Sequence, residues 1–165
     1  MAKYTVEYLL THDLDWFCYI NDRLVHGASN GGTLPTKVNN QEQNSINQKI
    51  VYNQKPIYSI DDIEINTKYI NKRFLDSEHL YTVWELEQKK YNYLKTFIDM
   101  AMRGFYSFDR IEHYIYNSNK YIPVAWPKFF DPEKMIKLKD VDFHHRYIDF
   151  SKLNTNRPIS FKNLI

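Results

Sequence analysis

An imidazole, a carboxylate and a hydroxyl lie close together near the start of the chain. In DWFCYINDRLVHGASNGGTLP, residues 15–35, Asp15 falls diagonally across a predicted hairpin from His26, and Ser29 follows three positions after His26. A carboxylate that orients an imidazole beside a hydroxyl is the arrangement of a nucleophilic triad, so one reading is a small hydrolase using His26 and Asp15. The other readings are a hairpin exit with a hydrogen-bonded histidine, and a turn that contacts a ligand or partner.

The turn after His26 is rich in glycine. Gly31 and Gly32 let the backbone turn sharply, and consecutive amides in such a turn can cup an anion. Neither the phosphate-loop motif nor the G-x-S-x-G elbow is present. Asp109 and Arg110, which follow the longest predicted helix, could orient a substrate carboxylate, although charged residues at a turn are commonly structural. The candidate ligand or partner turn therefore comprises His26, Ser29, Asn30, Gly31, Gly32, Asp109 and Arg110.

Two clusters contain metal-ligand types, at residues 12–15 and 140–145. Metal sites usually collect ligands from several rigid elements, and the second cluster lies on an extended C-terminal segment. Solvated or interfacial polarity explains both, so we predict no metal and no cofactor, and we assign no catalytic residue. The chain has a single cysteine, Cys18, so it can form no internal disulfide. Cys18 also has no basic neighbour in the sequence that would activate its thiol.

A β-hairpin is expected to position His26. WFCYI and RLVHGA flank Asn21-Asp22, two residue types that tolerate positive φ in a two-residue turn. This turn places Ile20 opposite Arg23 and Phe17 opposite His26. Both faces of the hairpin are largely apolar, which predicts a helix on one face and another covering element on the other.

The other elements complete an α+β fold. The pattern predicts a first strand at residues 3–10, a polar loop after Pro35 with one short helix or strand, and short extended pieces over 56–75. A long amphipathic helix is predicted from Asp76 or Ser77 to Arg103, with Gly104 in the C-terminal left-handed position. A second hairpin turns at residues 117–119. We expect an antiparallel sheet, built from the two hairpins and packed on this helix, within a single domain at 1–139.

The long helix and the C-terminal segment carry more apolar side chains than packing on one side of the sheet would bury. The long helix carries two apolar stripes that span roughly 200° together, against about 100° for a one-sided surface helix. Residues 140–165 form an extended tail that is polar yet aromatic, so it is expected to dock on a partner or on its own domain. The predicted interface residues are Leu86, Tyr93, Phe97, Met100, Phe143, Tyr147, Phe150 and Phe161.

Composition limits the classes of partner. A net charge of +2 is too small for a strongly basic nucleic-acid binder, so nucleic acid is not an expected partner. No apolar run approaches the roughly 20 residues that span a bilayer, and MAKYTVEYLLTHD lacks the features of a signal peptide. Aromatic residues make up 16% of the chain, which suits protein interfaces. The expected partners are proteins, in a homo-oligomer or larger assembly.

Three segments together carry a resemblance: DWFCYINDRLVHGASNGGTLP, FIDMAMRGFYSFDRIE and NKYIPVAWP. They resemble a group of small proteins of gut Bacteroidales, their mobile elements and their crAss-like phages. The matching residues are Asp15, Trp16, Phe17, Asn21, His26, Ala28, Ser29, Gly31, Gly32, Pro35, Met100, Ala101, Gly104, Phe105, Ser107, Asp109, Arg110 and Pro127. The match covers about a third of the chain, and Met102 stands where a basic residue is expected. The resemblance implies a shared fold and origin, and it carries over no catalytic residue because no activity is established for the group.

Three functions remain open from the sequence. The leading one is a non-enzymatic phage or mobile-element protein, such as a virion or assembly component, located in the virion or the host bacterial cytoplasm. The first alternative is an anti-defence inhibitor of a bacterial host protein. The second alternative is the small hydrolase that uses His26 and Asp15.

Overall fold

A computed structural model of the protein describes residues 2–112, 118–139 and 141–164. Within these residues the fold is α+β, as predicted, with four α-helices and a seven-stranded sheet. The elements in chain order are α1 (Val6–Thr11), β1 (Asp15–Ile20), β2 (Arg23–Ala28), α2 (Gln41–Asn53), β3 (Ile63–Ile65), α3 (Thr67–Leu75), α4 (Val83–Met102), β4 (Tyr106–Arg110), β5 (Lys120–Pro127), β6 (Asp142–Phe143) and β7 (Ile159–Ser160). The strands follow the order β3-β5-β4-β2-β1-β6, and β7 pairs with the N-terminal end of β5.

Strands β1 and β2 form the predicted hairpin. Ile20 pairs with Arg23 and Phe17 with His26, which confirms the predicted register. Asn21 and Asp22 have φ angles of 48° and 61°, the left-handed values that a two-residue primed turn requires.

The prediction of a purely antiparallel sheet is wrong. Strand β4 runs parallel to β2, and β6 runs parallel to β1. A parallel pair needs a long connection, which α2, α3 and α4 supply between β2 and β4. Strands β4 and β5 do pair antiparallel, but the predicted turn at residues 117–119 lies partly outside the described residues. Asp140, from the second predicted cluster of metal-ligand types, also lies outside them.

Two predicted extended segments are helical instead. Residues 6–11 form α1, where the Thr5 hydroxyl caps the Tyr8 amide and the rings of Tyr8 and His12 stack four residues apart. Residues 67–75 form α3, capped by Asn66. Buried Asn66 also donates from Nδ2 to the carbonyls of Pro123 and Thr155, so this cap ties α3 to β5 and to the C-terminal segment.

Helix α2 occupies the polar segment that was predicted as a loop with one short element. It contacts β1 through amide side chains as well as through Val51, which packs in the cluster that contains Phe17. Asn44 Nδ2 and Gln48 Nε2 both donate to the Asp15 carbonyl, at 3.0 and 3.2 Å. Apolar spacing gives a weak signal for this helix because two of its three buried residues, Asn44 and Asn47, are polar.

Helix α4 is shorter at its N-terminus than predicted. It begins at Val83 because Thr82 and Glu85 form a reciprocal capping box, whereas residues 76–80 form a turn. Its C-terminus is as predicted: Gly104 has a φ of 96°, and the Gly104 and Phe105 amides donate back to Ala101 and Met100.

Both faces of the sheet are covered. Helices α3 and α4 pack on one face, where a buried cluster includes Phe97, Ala101, Ile122 and Val124. The C-terminal segment packs on the other face, where Phe161 is fully buried beside Trp16 and the other members of the largest core cluster. Within the described part of the chain, no helix is long and apolar enough to cross a membrane.

Candidate functional site

A carboxylate-lined cavity lies where β1, β2 and β4 meet α4. Asp15 pairs with Ala28 across β1 and β2, and Ala28 pairs with Asp109 across β2 and β4. Paired residues point to the same face of a sheet, so the small Ala28 side chain forms the floor between two carboxylates. Tyr93 and Phe97 of α4 line the wall, and the cavity measures about 320 Å³. We call this the acid cavity; its lining residues are Asp13, Asp15, Ala28, Asn30, Arg73, Tyr93, Thr96, Phe97 and Asp109.

Asp109 is the most deeply buried acid of this cavity. The Tyr93 hydroxyl donates to its Oδ2 at 2.6 Å, and Asn30 Nδ2 donates to its Oδ1 at 3.3 Å. The Arg73 guanidinium lies 4.0 Å from Oδ2 and stacks over the Tyr93 ring. Burial raises the pKa of Asp109 to about 6, although the Tyr93 hydrogen bond and the Arg73 charge both oppose the rise. The same burial and the nearby carboxylate raise the pKa of Tyr93, so its hydroxyl stays protonated and donates.

His26 connects the cavity to the interior of the sheet. Its Nε2 lies 2.9 Å from Asp15 Oδ1, and its Nδ1 lies 2.5 Å from the Ser107 hydroxyl. The Tyr52 hydroxyl donates to the other Asp15 oxygen at 2.7 Å. Burial alone would raise the pKa of Asp15, but the facing imidazole and the hydrogen bonds from His26 and Tyr52 hold it below its ordinary value. Asp15 is therefore an ionised acceptor, and His26 donates to it from Nε2.

The order of these groups is the reverse of a nucleophilic triad. A triad places the hydroxyl where the substrate binds and buries the carboxylate behind the imidazole. Here the Ser107 hydroxyl is the buried end, and Asp15 is the member that lines the cavity. Ser29, which the sequence suggested as nucleophile, instead accepts from the Leu14 amide at 2.7 Å. The hairpin therefore presents the Asp15 carboxylate to the cavity and keeps the Ser107 hydroxyl behind His26.

The glycine turn is shaped by its neighbours within the chain. The Asn30 amide donates to Asp13 Oδ1 at 2.6 Å, which brings a third carboxylate to the cavity. Gly31 has a φ of 69°. A Cβ on Gly32 would lie 2.2 Å from the Arg110 guanidinium, so this glycine leaves room for a buried arginine. Arg110 donates from Nε to the Ser118 carbonyl at 2.7 Å and has no exposed surface.

The structure brings together one part of the predicted turn. His26, Asn30 and Asp109 surround or support the acid cavity, whereas Ser29, Gly32 and Arg110 make structural contacts beside it. Sequence reasoning missed Arg73, Tyr52 and Ser107, which contact these groups through tertiary packing. Parallel pairing of β2 with β4 sets His26 beside Ser107, and no local pattern signals that register.

The eight predicted interface residues occupy varied positions. All except Tyr147, which is 77% exposed, are buried or half-buried within the chain. Phe97 and Met100 face the sheet from α4, and Phe161 fills the opposite core. Contact of these residues with a partner stays a prediction.

The His, Cys, Asp and Glu side chains that the structure describes form no metal-binding group, and Cys18 is buried. Among residues 2–112, 118–139 and 141–164, no group of three or more His, Cys, Asp or Glu side chains is placed to hold a metal ion. Burial raises the pKa of the Cys18 thiol well above its ordinary value, as expected for an inert cysteine.

Comparison with protein-family models, curated proteins and solved structures finds no match to this chain.

Proposed function

We propose that this chain is a non-enzymatic phage or mobile-element protein that acts through protein–protein contacts, as a virion or assembly component. The observation that carries the proposal is a group of exposed apolar side chains around the connection between α3 and α4. Val83 is 81% exposed and Trp84 is 72% exposed, although both are large and apolar. We call this surface the α3–α4 patch; it comprises Leu75, Leu80, Val83 and Trp84.

An exposed tryptophan among aliphatic residues is characteristic of contact surfaces. Tryptophan buries a large area with few rotatable bonds, and it is enriched where protein interfaces gain most of their binding energy. Single exposed apolar residues are common, but several within one connection indicate a surface that a partner covers. The phage or mobile-element origin is supported by the resemblance described above.

One observation favours the alternative of an anti-defence inhibitor that acts as a monomer. The aromatic tail, which an assembly could have used to join neighbours, packs on its own sheet: β6 pairs with β1, β7 pairs with β5, and Phe161 is fully buried. Both functions use the α3–α4 patch, and they differ in whether the first partner is another copy of this chain.

Light scattering of the untagged protein across a range of concentrations tests the proposal. An assembly component is expected to form an oligomer that Val83→Ser combined with Trp84→Ser dissociates. Phe129→Ser is the matched control, because Phe129 is 75% exposed but lies outside the patch. A protein that stays monomeric at every concentration, with and without the patch substitutions, overturns the assembly role and leaves the inhibitor. Dissociation by Phe129→Ser as well would show that the patch has no special role.

A further inference from the structure

An apolar groove between α2 and α4 adjoins the acid cavity. Asp15 and Thr96 line both spaces, which therefore lie side by side, and we refer to the two together as the depression. The groove measures about 630 Å³. We call it the α2–α4 groove; its apolar and aromatic lining consists of Tyr52, Ile60, Tyr91, Ile98, Met100 and Met102.

Negative charge is concentrated in the acid cavity, whereas the lining of the α2–α4 groove is mainly apolar. Three carboxylates, Asp13, Asp15 and Asp109, line the acid cavity against one guanidinium, that of Arg73. Arg73 is already engaged, since it lies 4.0 Å from Asp109 and 4.2 Å from the centre of the Tyr93 ring. The cavity therefore favours a cation. The groove beside it favours an apolar group, although Lys95 and Asp99 also line it.

The cation would meet carboxylates that are already oriented. His26 and Tyr52 hold the two oxygens of Asp15, and Tyr93 and Asn30 hold those of Asp109. A site fixed in this way loses little side-chain entropy on binding. The two acids belong to strands on either side of β2, roughly 10 Å apart at the backbone, with only Ala28 between them. A planar guanidinium, which donates from opposite edges, suits this spacing better than the point charge of an ammonium group.

We propose that the depression binds a segment of a partner protein, which inserts an arginine side chain into the acid cavity and lays adjacent apolar residues in the α2–α4 groove. The identification of the occupant as a protein segment rests on the proposed function, whereas the cation preference rests on the cavity alone. The depression and the α3–α4 patch have no residue in common, so each can be altered by substitutions that leave the residues of the other unchanged.

Backbone amide shifts of ¹⁵N-labelled protein test the cation preference directly. The probes are N-acetyl-arginine amide and N-acetyl-citrulline amide, which have nearly the same shape and differ in charge. We expect saturable shifts at the amides of Ala28 and Asn30 with the arginine probe, and at least fivefold weaker binding of citrulline. Ala28→Leu, which fills the floor, and Asp15→Asn, which removes one charge, should each weaken the arginine probe at least fivefold. Glu87→Gln is the control for the loss of one negative charge, because Glu87 is exposed and does not line the cavity.

The groove is tested with N-acetyl-Leu-Arg-Leu amide. This tripeptide should bind at least fivefold more tightly than the single residue, and the neutral substitution Met102→Gln should abolish that gain while leaving the single arginine unaffected. Equal binding of arginine and citrulline, or full binding to both Ala28→Leu and Asp15→Asn, overturns the site. A tripeptide that gains nothing overturns the protein segment as occupant.

These outcomes are independent of those for the proposed function. The α3–α4 patch substitutions leave the acid cavity intact, so loss of the assembly role would not change the arginine titration. Conversely, an oligomer could dissociate in Ala28→Leu and persist in Trp84→Ser. That result would identify the inserted arginine as one from a second copy of this chain, and it would place the interface at the acid cavity instead of the α3–α4 patch.

Discussion

Asp15 and His26 are joined across the β1–β2 hairpin by a 2.9 Å contact between Oδ1 and Nε2, and the carboxylate is the end that faces the cavity. His26 itself has no exposed surface. The imidazole is thus a support behind a carboxylate, and its second nitrogen is anchored by Ser107. This arrangement gives the conspicuous histidine of the sequence a positioning role.

Removing the support should raise the pKa of Asp15. His26→Ala eliminates the facing imidazole and its hydrogen bond, and the deleted ring should cost roughly 2–4 kcal/mol of stability. Tyr52→Phe removes only the hydrogen bond to Oδ2, and Tyr52 is half exposed, so this variant should fold normally. NMR titration of the Asp15 carboxyl carbon measures the effect. We expect Asp15 to titrate at higher pH in both variants, more so in His26→Ala; an unchanged titration in both would contradict the role of the pair.

Asp109 should make stability fall as pH rises through the mildly acidic range. Its pKa is about 6 in the fold and 3.8 ordinarily, so between these values the folded protein retains a proton that the unfolded chain releases. The resulting penalty is absent below about pH 4 and complete above about pH 6, where it amounts to roughly 3 kcal/mol, since each tenfold change in the acid constant is worth about 1.4 kcal/mol.

Asp109→Asn tests this sign. Asparagine still accepts from Tyr93 through Oδ1 but cannot ionise, so urea unfolding should show the variant gaining stability relative to the natural sequence between pH 4 and 7. Carboxyl groups that do not interact with Asp109 contribute equally to both proteins and cancel in the difference. A difference that stays constant across this range would mean that Asp109 has an ordinary pKa.

Local patterns were enough to predict the β1–β2 hairpin and the end of α4. Asn21 and Asp22 adopt the positive φ values that their residue types allow, and Gly104 does the same at the helix terminus. Each of these features depends on residues adjacent in the chain. The His26–Asp15 pair follows from the same register, which is why that part of the site was accessible to sequence reasoning.

The other parts of the site depend on contacts distant in sequence. Ser107 reaches His26 because β4 lies parallel to β2, and Arg73 reaches Asp109 from a segment predicted as extended. Helix α2, which carries Tyr52, has little apolar periodicity because Asn44 and Asn47 occupy two of its three buried positions, and Asn44 and Gln48 bond the Asp15 carbonyl. Periodicity of apolar residues contains none of this information.

Gly32 should tolerate alanine less well than its neighbour Gly31. A Cβ at Gly32 would lie 2.2 Å from the Arg110 guanidinium, and that side chain is fully buried and bonded to the Ser118 carbonyl, so it has little room to move. We expect Gly32→Ala to cost about 1–3 kcal/mol. A Cβ at Gly31 would make only an ordinary contact, 3.7 Å from the Leu10 carbonyl oxygen, but φ there is unfavourable for alanine, so Gly31→Ala should cost only about 1 kcal/mol.

A double-mutant cycle identifies the cause of the Gly32 effect. If the clash is with the guanidinium, the cost of Gly32→Ala should largely disappear in an Arg110→Met background, measured by urea unfolding. An unchanged cost in that background would instead point to the backbone of the turn.

The C-terminal segment should be an integral part of the fold. Phe161 is fully buried, with ring centroids 5.5 Å from Trp16, 5.3 Å from Phe108 and 5.2 Å from Tyr121. Phe161→Ala is therefore expected to cost about 3–5 kcal/mol, because it opens a cavity in the face of the sheet that α4 does not cover.

Tyr147→Ala is the matched control from the same segment. Tyr147 is 77% exposed, so its removal should change stability by no more than about 0.5 kcal/mol. Urea unfolding compares the two variants, and limited proteolysis shows whether the segment detaches. Equal, small effects would mean that residues 141–164 are held loosely and remain available to a partner, as an assembly arm would be. A large effect for Phe161→Ala alone would mean that this segment is committed to its own sheet, so that any partner binds elsewhere, at the α3–α4 patch or the acid cavity.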